Sequence, residues 1–333
     1  LAVEKGQKIT AIDYNNLAAG INKVFADVFP NAAPATAESD RLNQEFGWGN
    51  SSANNVEIGM KITAGVVNEL VDRVNISAEH VGSQYELDRV ITGQKITAAI
   101  WNDIETVIED ITPQKNEAAL GQTAITELGA LAKTTPFDAS VVFQTILTFP
   151  DYDHARYYFN SGGVVKLYLE KSSGNSVDES WASAYTRLGT VSLALRNTLS
   201  TTSNVISENK GFEHLTDANM LLLTCTQNGN GGYGYGGYGY GGYGYGYGYG
   251  YGYGYGTNGS KRIKVFGKIV PETGSDYQTG SVKLIIDVSL ENAAAQFTEG
   301  THTLYIQSSK AISKSSGTVS FSINNPQFSG SVV

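Results

Sequence analysis

The hexapeptide Gly-Gln-Lys-Ile-Thr-Ala occurs at Gly6 to Ala11 and again at Gly93 to Ala98, with a near copy, Gly-Met-Lys-Ile-Thr-Ala, at Gly59 to Ala64. Each copy runs on in the same way, through Tyr14-Asn15-Asn16-Leu17, Val67-Asn68-Glu69-Leu70 and Trp101-Asn102-Asp103-Ile104. A repeat on this scale is one small supersecondary unit used three times, and such units usually serve assembly rather than chemistry.

The local chemistry predicts a glycine turn leading into an amphipathic helix in every copy. Thr10, Thr63 and Thr97 stand where an N-cap belongs, directly before apolar residues at helical spacing, and Asp13 gives the first copy a capping-box partner. Ile100, Trp101, Ile104, Val107, Ile108 and Ile111 follow the 3.6-residue period, as do Val66, Val67, Leu70, Val71 and Val74. Helices this short are not stable alone in water, so they are expected to pack on one another or on a neighbouring subunit. Thr10, Tyr14, Thr63, Thr97 and Trp101 are therefore the expected assembly residues.

Charge narrows the function classes. The net charge is −9, and it is concentrated in the first part: residues 1–134 hold 10 Lys and Arg against 18 Asp and Glu, whereas residues 135–333 hold 13 against 14. An acidic surface of this kind argues against nucleic acid or an anionic membrane as partner. No apolar run is long enough to span a bilayer and the first residues lack a secretory signal pattern, which points to synthesis in a reducing cytoplasm. Leu1 as the first residue leaves open the removal of a leader. The single cysteine, Cys225, lies in the apolar run Met220 to Cys225 and reads as a small buried hydrophobe.

The predicted architecture is α+β. Residues 1–111 form a helical repeat region for docking or oligomerisation, 112–135 a linker, and 136–333 an antiparallel β-sandwich carrying a long Gly/Tyr loop insertion at 229–256. The period changes from helical to two after Pro136: Val282, Leu284, Ile286 and Val288 share one face, and Val319, Phe321 and Ile323 alternate with serines. Further strands are expected at 141–149, 156–160, 164–170, 220–227, 263–269 and 303–307, with one helix near 179–188. Gly162 and Gly163 are expected to take positive φ and turn the chain into the strand that begins at Val164.

Residues Gly229 to Gly256 contain only Gly, Tyr and Asn230. Their eleven tyrosines are Tyr233, Tyr235, Tyr238, Tyr240, Tyr243, Tyr245, Tyr247, Tyr249, Tyr251, Tyr253 and Tyr255. If extended, the tract places the rings from Tyr243 onward on one face, and each Gly-Gly step shifts that phase by one residue. Doubled back on itself it reaches roughly 40–50 Å at about 3.3 Å per residue. Three readings stand: a tyrosine surface for sugars or proteins, a homotypic contact between neighbouring subunits, and a low-complexity spacer. Spacers are normally Gly/Ser-rich and gain nothing from eleven rings, which favours contact.

Little in the chain suggests catalysis. Asp151-x-Asp153-His154 has residue types that a metal accepts, but its members crowd one turn and no second cluster is near in sequence. His80, His214 and His302 are scattered, and no nucleophile elbow or phosphate-cradling glycine loop occurs. A glycosidase needs two facing carboxylates, and Glu170, Asp178, Glu179 and Asp287 read as turn or solvent-face residues. No catalytic residue, metal or cofactor is expected.

The I-T-A-x-x-Tyr/Trp-Asn-x-Leu pattern of the first half, together with Arg156-Tyr157-Tyr158-Phe159-Asn160-Ser161-Gly162-Gly163, resembles virion structural proteins of contractile-tailed bacteriophages, especially those of cyanobacteria and other marine bacteria. Those proteins carry a comparable RYFFN-x-GG signature, so the resemblance touches both halves. It departs from the pattern at Val67, where the other copies have Tyr14 and Trp101, and in the Gly/Tyr tract, which is not expected in every relative. The resemblance implies a non-enzymatic virion component, made in the host cytoplasm and associated with the tail or fibre. Other virion proteins are the expected partners, homo-oligomerisation is expected, and host-surface glycan or protein is a further candidate. Two alternatives are a capsid or collar decoration protein with a purely assembly role and a glycan-degrading tail protein; a secreted matrix or filament protein fits the tyrosine content but not the repeats.

Overall fold

The computed structural model describes residue 4, residues 6–26, residue 34 and residues 47–172, 176–227, 261–292 and 298–333. Within them the chain is mixed α and β, with five α-helices and mostly antiparallel strands. The Gly/Tyr tract and all eleven of its tyrosines lie outside the described residues.

Each hexapeptide copy runs into a helix: α1 (Ala11–Phe25), α2 (Ala64–Val81) and α3 (Ala98–Ile111). Thr10 and Thr63 cap as expected, their hydroxyls accepting from the Asp13 and Val66 amides at 3.3 and 3.4 Å. The capping box is complete, because Asp13 Oδ2 accepts from the Thr10 amide at 2.7 Å. Thr97 corrects the third expectation: it holds the extended N-cap backbone of α3 but makes no side-chain cap bond. The helices bury equivalent positions, Tyr14, Val67 and Trp101 and then Leu17, Leu70 and Ile104, and each helix packs against the other two. Burying side chains of this size contributes about 1.5–3 kcal/mol each.

Two antiparallel sheets follow. The first has five strands in the order β1 (Thr123–Lys133), β10 (Thr301–Ala311), β3 (Val164–Ser172), β4 (Val191–Leu193) and β5 (Thr198–Ser200). The second has six, in the order β13 (Gln327–Val332), β2 (Ser140–Phe149), β9 (Val282–Asn292), β8 (Lys261–Pro271), β7 (Met220–Gln227) and β6 (Val205–Ser207). β11 (Lys314–Ser316) and β12 (Val319–Phe321) make a separate short ladder. Alternate residues of the long strands are buried, as at Val282, Leu284, Ile286, Val288 and Leu290, and both sheets share one continuous core with the helices. Cys225 is buried on β7, as its sequence context predicts.

Two expectations are corrected. Residues 112–135, expected to be a linker, contain β1, which pairs along its length with β10. Residues 156–160, expected to be a strand, belong to helix α4 (Tyr152–Asn160); the aromatic run favours a strand locally, but Asp151 accepts from the His154 amide at 2.8 Å and starts a helix. The turn after α4 uses Gly162 at φ +76°, whereas Gly163 has no positive φ. Gly163 is required by space instead, since a Cβ there would lie 2.3 Å from the Tyr158 carbonyl oxygen. The fifth helix, α5 (Ser176–Leu188), falls where the sequence places one.

Candidate assembly surface

The hexapeptide folds the same way three times. Its glycine sits at φ +94° in Gly6, +95° in Gly59 and +90° in Gly93, a conformation that glycine adopts at little cost. The residue after the glycine closes the turn, with Gln7, Met60 and Gln94 amides donating to the Glu4, Glu57 and Ile91 carbonyls at 3.0, 3.1 and 2.9 Å. In the first and third copies the glutamine side chain also returns to the turn, Gln7 Oε1 and Gln94 Oε1 accepting from the Glu4 and Ile91 amides at 3.0 and 2.9 Å. Ile9, Ile62 and Ile96 pack against the core, followed by the capping position and a partly buried alanine. The identical glycine and isoleucine thus have a local structural task in every copy, and the threonine hydroxyl has one in the first two.

Two asparagines in α1 and two in α2 lock one copy to the next. Asn15 Nδ2 donates to the Val56 carbonyl at 3.1 Å and its Oδ1 accepts from the Val56 amide at 2.8 Å. Asn68 makes the same pair with Val90 at 3.0 and 2.7 Å. Two helical turns further on, Asn22 holds Ala53 at 3.0 and 2.8 Å, and Asn75 holds Leu87 at 2.8 and 2.9 Å. The sequence shows their spacing of seven in both α1 and α2 but not the chain segments that they hold.

The three copies converge. Lys8 and Ile9, Lys61 and Ile62, and Lys95 and Ile96 line one depression of about 780 Å³ at the helix N-terminal ends. Ile58 is 90 % exposed, Ile12 63 % and Met60 55 %, all on its lining. Among the described residues, none of the three lysine ammonium groups has a hydrogen-bond or ion-pair partner.

No protein-family model, curated protein or solved structure matches the chain.

Of the expected assembly residues, Thr10 lines the depression, Thr63 and Thr97 start the adjacent helices, and Tyr14 and Trp101 lie beneath in the core. The Tyr14 and Trp101 rings are 6.2 Å apart. Burial, then the neighbouring Glu69, raises the Tyr14 phenol above its ordinary pKa, with Arg73 opposing. Arg73 itself is lowered by burial and donates to the Ser51, Ser52 and Glu69 carbonyls. Tyr14 and Trp101 are thus packing residues and not surface contacts.

α4 and the turn after it sit where the helices meet the sheets. Trp48 Nε1 donates to the Lys115 and Asn160 carbonyls at 2.8 and 3.2 Å, Asn160 Nδ2 donates to the Gly47 carbonyl, and His80 Nε2 lies 2.9 Å from the Ser161 carbonyl. Phe321 from β12 packs against Trp48 and His80 at 5.3 and 5.2 Å. Tyr158 is a core pillar: its hydroxyl donates to the Val164 carbonyl at 2.9 Å and meets Ser308 Oγ at 2.8 Å, and burial drives its pKa far up. Arg156 is buried beside Asp153 at 3.2 Å, with its guanidinium over the Tyr157 ring.

No group of three metal-ligating side chains occurs among the described residues. Asp151 is occupied by capping α4 and by His154 Nδ1 at 2.7 Å, and Asp153 by Arg156. Asp287 accepts from Gln144 Nε2 at 3.1 Å. No helix among the described residues is long and apolar enough to cross a membrane.

The strands on either side of the tract in sequence are neighbours in the sheet. β7 pairs antiparallel with β8, with Gln227 opposite Lys261, so residues 228–260 connect two adjacent strand ends. Lys261 is buried; its Nζ donates to Asn292 Oδ1 at 2.9 Å and stands over the Trp181 ring at 5.4 Å.

Proposed function

We propose that the chain is a non-enzymatic structural component of a tailed-phage virion, associated with the tail or a fibre. Its N-terminal helical repeat region docks to other virion proteins, and its β-sandwich carries the Gly/Tyr loop that touches the host surface or neighbouring subunits. The observation that carries this reading is the convergence of three hexapeptide copies on one face, with their other identical residues spent on forming the turn and helix start. The in-register base at Gln227 and Lys261 further supports the tract as an insertion that leaves the sheet complete.

Deletion of Tyr233 to Tyr255 tests the loop. Particles that assemble but adsorb poorly identify a host-contact loop, and particles that fail to assemble identify a contact between subunits. Absence of the chain from purified virions overturns the reading. Release of reducing sugar from host surface glycan by the purified chain overturns its non-enzymatic part.

A further inference from the structure

β8 and β9 each set one polar residue into the core at the same end of their ladder. Along β8 the buried positions include Lys261, Ile263 and Val265, and along β9 Asn292 continues the buried set of Val288 and Leu290. Lys261 begins β8, Asn292 ends β9, and the two are partners across the ladder. Lys261 is 1 % exposed and Asn292 4 %.

Two side chains able to react with each other are thus held together away from solvent. Lys261 Nζ donates to Asn292 Oδ1 at 2.9 Å, which sets the amine beside the amide carbon Cγ. The Asn292 main chain is fixed in turn, its amide donating to the Ala139 carbonyl at 2.8 Å. Trp181, fully buried, stands over Nζ at 5.4 Å, and the Phe137 and His302 rings pack on Trp181 at 6.1 Å each. Taking an ammonium out of water is costly whatever it then touches, and a neutral amide in its place removes that cost. A desolvated lysine amine is also a competent nucleophile.

We propose that Lys261 and Asn292 are joined by an isopeptide bond, a covalent staple across the β8–β9 ladder. Nζ, as the free amine, attacks Asn292 Cγ; the Nζ–Cγ bond forms, the Cγ–Nδ2 bond breaks, and Nδ2 departs as ammonia carrying one proton from Nζ. The proton that the ammonium gives up beforehand is taken by the ammonia, so the exchange is balanced without oxidant, cofactor or water. Amide exchange is slow in water, but this reaction need occur only once per chain. Groups held in a reactive geometry behave as if present at on the order of 10⁵–10⁸ M. The staple sits on the rung where residues 228–260 join β8, so a pull along that connection enters the sheet at a covalent link. It is independent of what the Gly/Tyr tract touches.

The test is mass spectrometry of the purified full chain. The intact mass is expected to fall short of the sequence mass by one ammonia, and a tryptic digest is expected to contain a branched peptide joining the segments that hold Lys261 and Asn292. Succinimide formation at Asn228-Gly229, Asn230-Gly231 or Asn258-Gly259 also sheds ammonia, so the branched peptide decides and not the mass alone. Lys261→Met and Asn292→Ala should each abolish that peptide, and the parent chain's digest stands as the test even where a variant fails to fold. An intact mass equal to that of the sequence overturns the proposal and leaves an ordinary hydrogen-bonded pair. Ammonia loss confined to the Asn-Gly pairs, or a branched peptide that persists in either variant, overturns it as well.

Discussion

The side-chain amide of Asn68 and the main chain of Val90 exchange two hydrogen bonds, at 3.0 and 2.7 Å, so that a residue on α2 grips the segment leading into α3. A side-chain amide suits this task because it offers a donor and an acceptor in one plane, matching the amide and carbonyl of a single extended residue. Val90 is buried, so water does not readily replace either bond. Asn68→Ala should therefore cost about 1–3 kcal/mol, measured as a lowered urea midpoint. Asn15→Ala should cost a similar amount through Val56, and a midpoint unchanged in both variants would contradict the clasp.

Trp101 is 2 % exposed at the centre of the three helices, beside Tyr14. Its truncation to alanine should lower stability by about 3–5 kcal/mol through the cavity it leaves. A melting transition identical to that of the parent chain would refute this.

His80 predicts a pH dependence. Burial is the main cause that lowers its pKa from 6.5 to about 4; the contact to the Ser161 carbonyl opposes the shift, nearby Lys314 adds to the lowering and Glu79 opposes it. A carbonyl only accepts, so the neutral ring carries its proton on Nε2. The folded pKa lies below the unfolded one, so the unfolded chain takes up the proton first as pH falls. This contribution to stability is complete above about pH 6.5, declines as pH drops, and is gone near pH 4. A shift of that size corresponds to about 3 kcal/mol. Comparing urea midpoints of the parent and His80→Gln at pH 7 and pH 4 isolates the histidine from titrating carboxylates. Equal pH dependence in the two proteins would rule the effect out.

Gly59 and Gly162 share a positive φ, +95° and +76°, but not their surroundings. A Cβ on Gly59 meets nothing within 4 Å, whereas one on Gly162 would lie 2.6 Å from the Ala118 amide nitrogen. Gly59→Ala should cost only the backbone strain, about 1–2 kcal/mol, and Gly162→Ala clearly more. Differential scanning calorimetry on the pair decides it, and equal losses would sink the distinction.

The elements that were legible in the sequence are those whose pattern is local. Thr10 with Asp13, the apolar faces of α2 and α3, and the alternation of Val282 to Val288 each specify their element within a few residues. β1 was not legible because it is an edge strand: none of its side chains is fully buried and more than half are exposed, its register shifts between Glu127 and Gly129, and its alternation is faint. α4 was hidden by an aromatic run with strong strand preference, and the deciding residue, Asp151, was read as a ligand type instead of a cap. Of the candidate surface, the hexapeptides were visible but their meeting was not. Convergence depends on long-range packing, and the only hint to it was the spacing of Asn15 with Asn22 and of Asn68 with Asn75.

Each of α1, α2 and α3 touches both of the others. Solenoid arrays have free ends and lengthen by stacking another module, each touching only its neighbours. Here loss of one module would strip apolar surface from both survivors at once. The trio is therefore expected to form or melt as a unit.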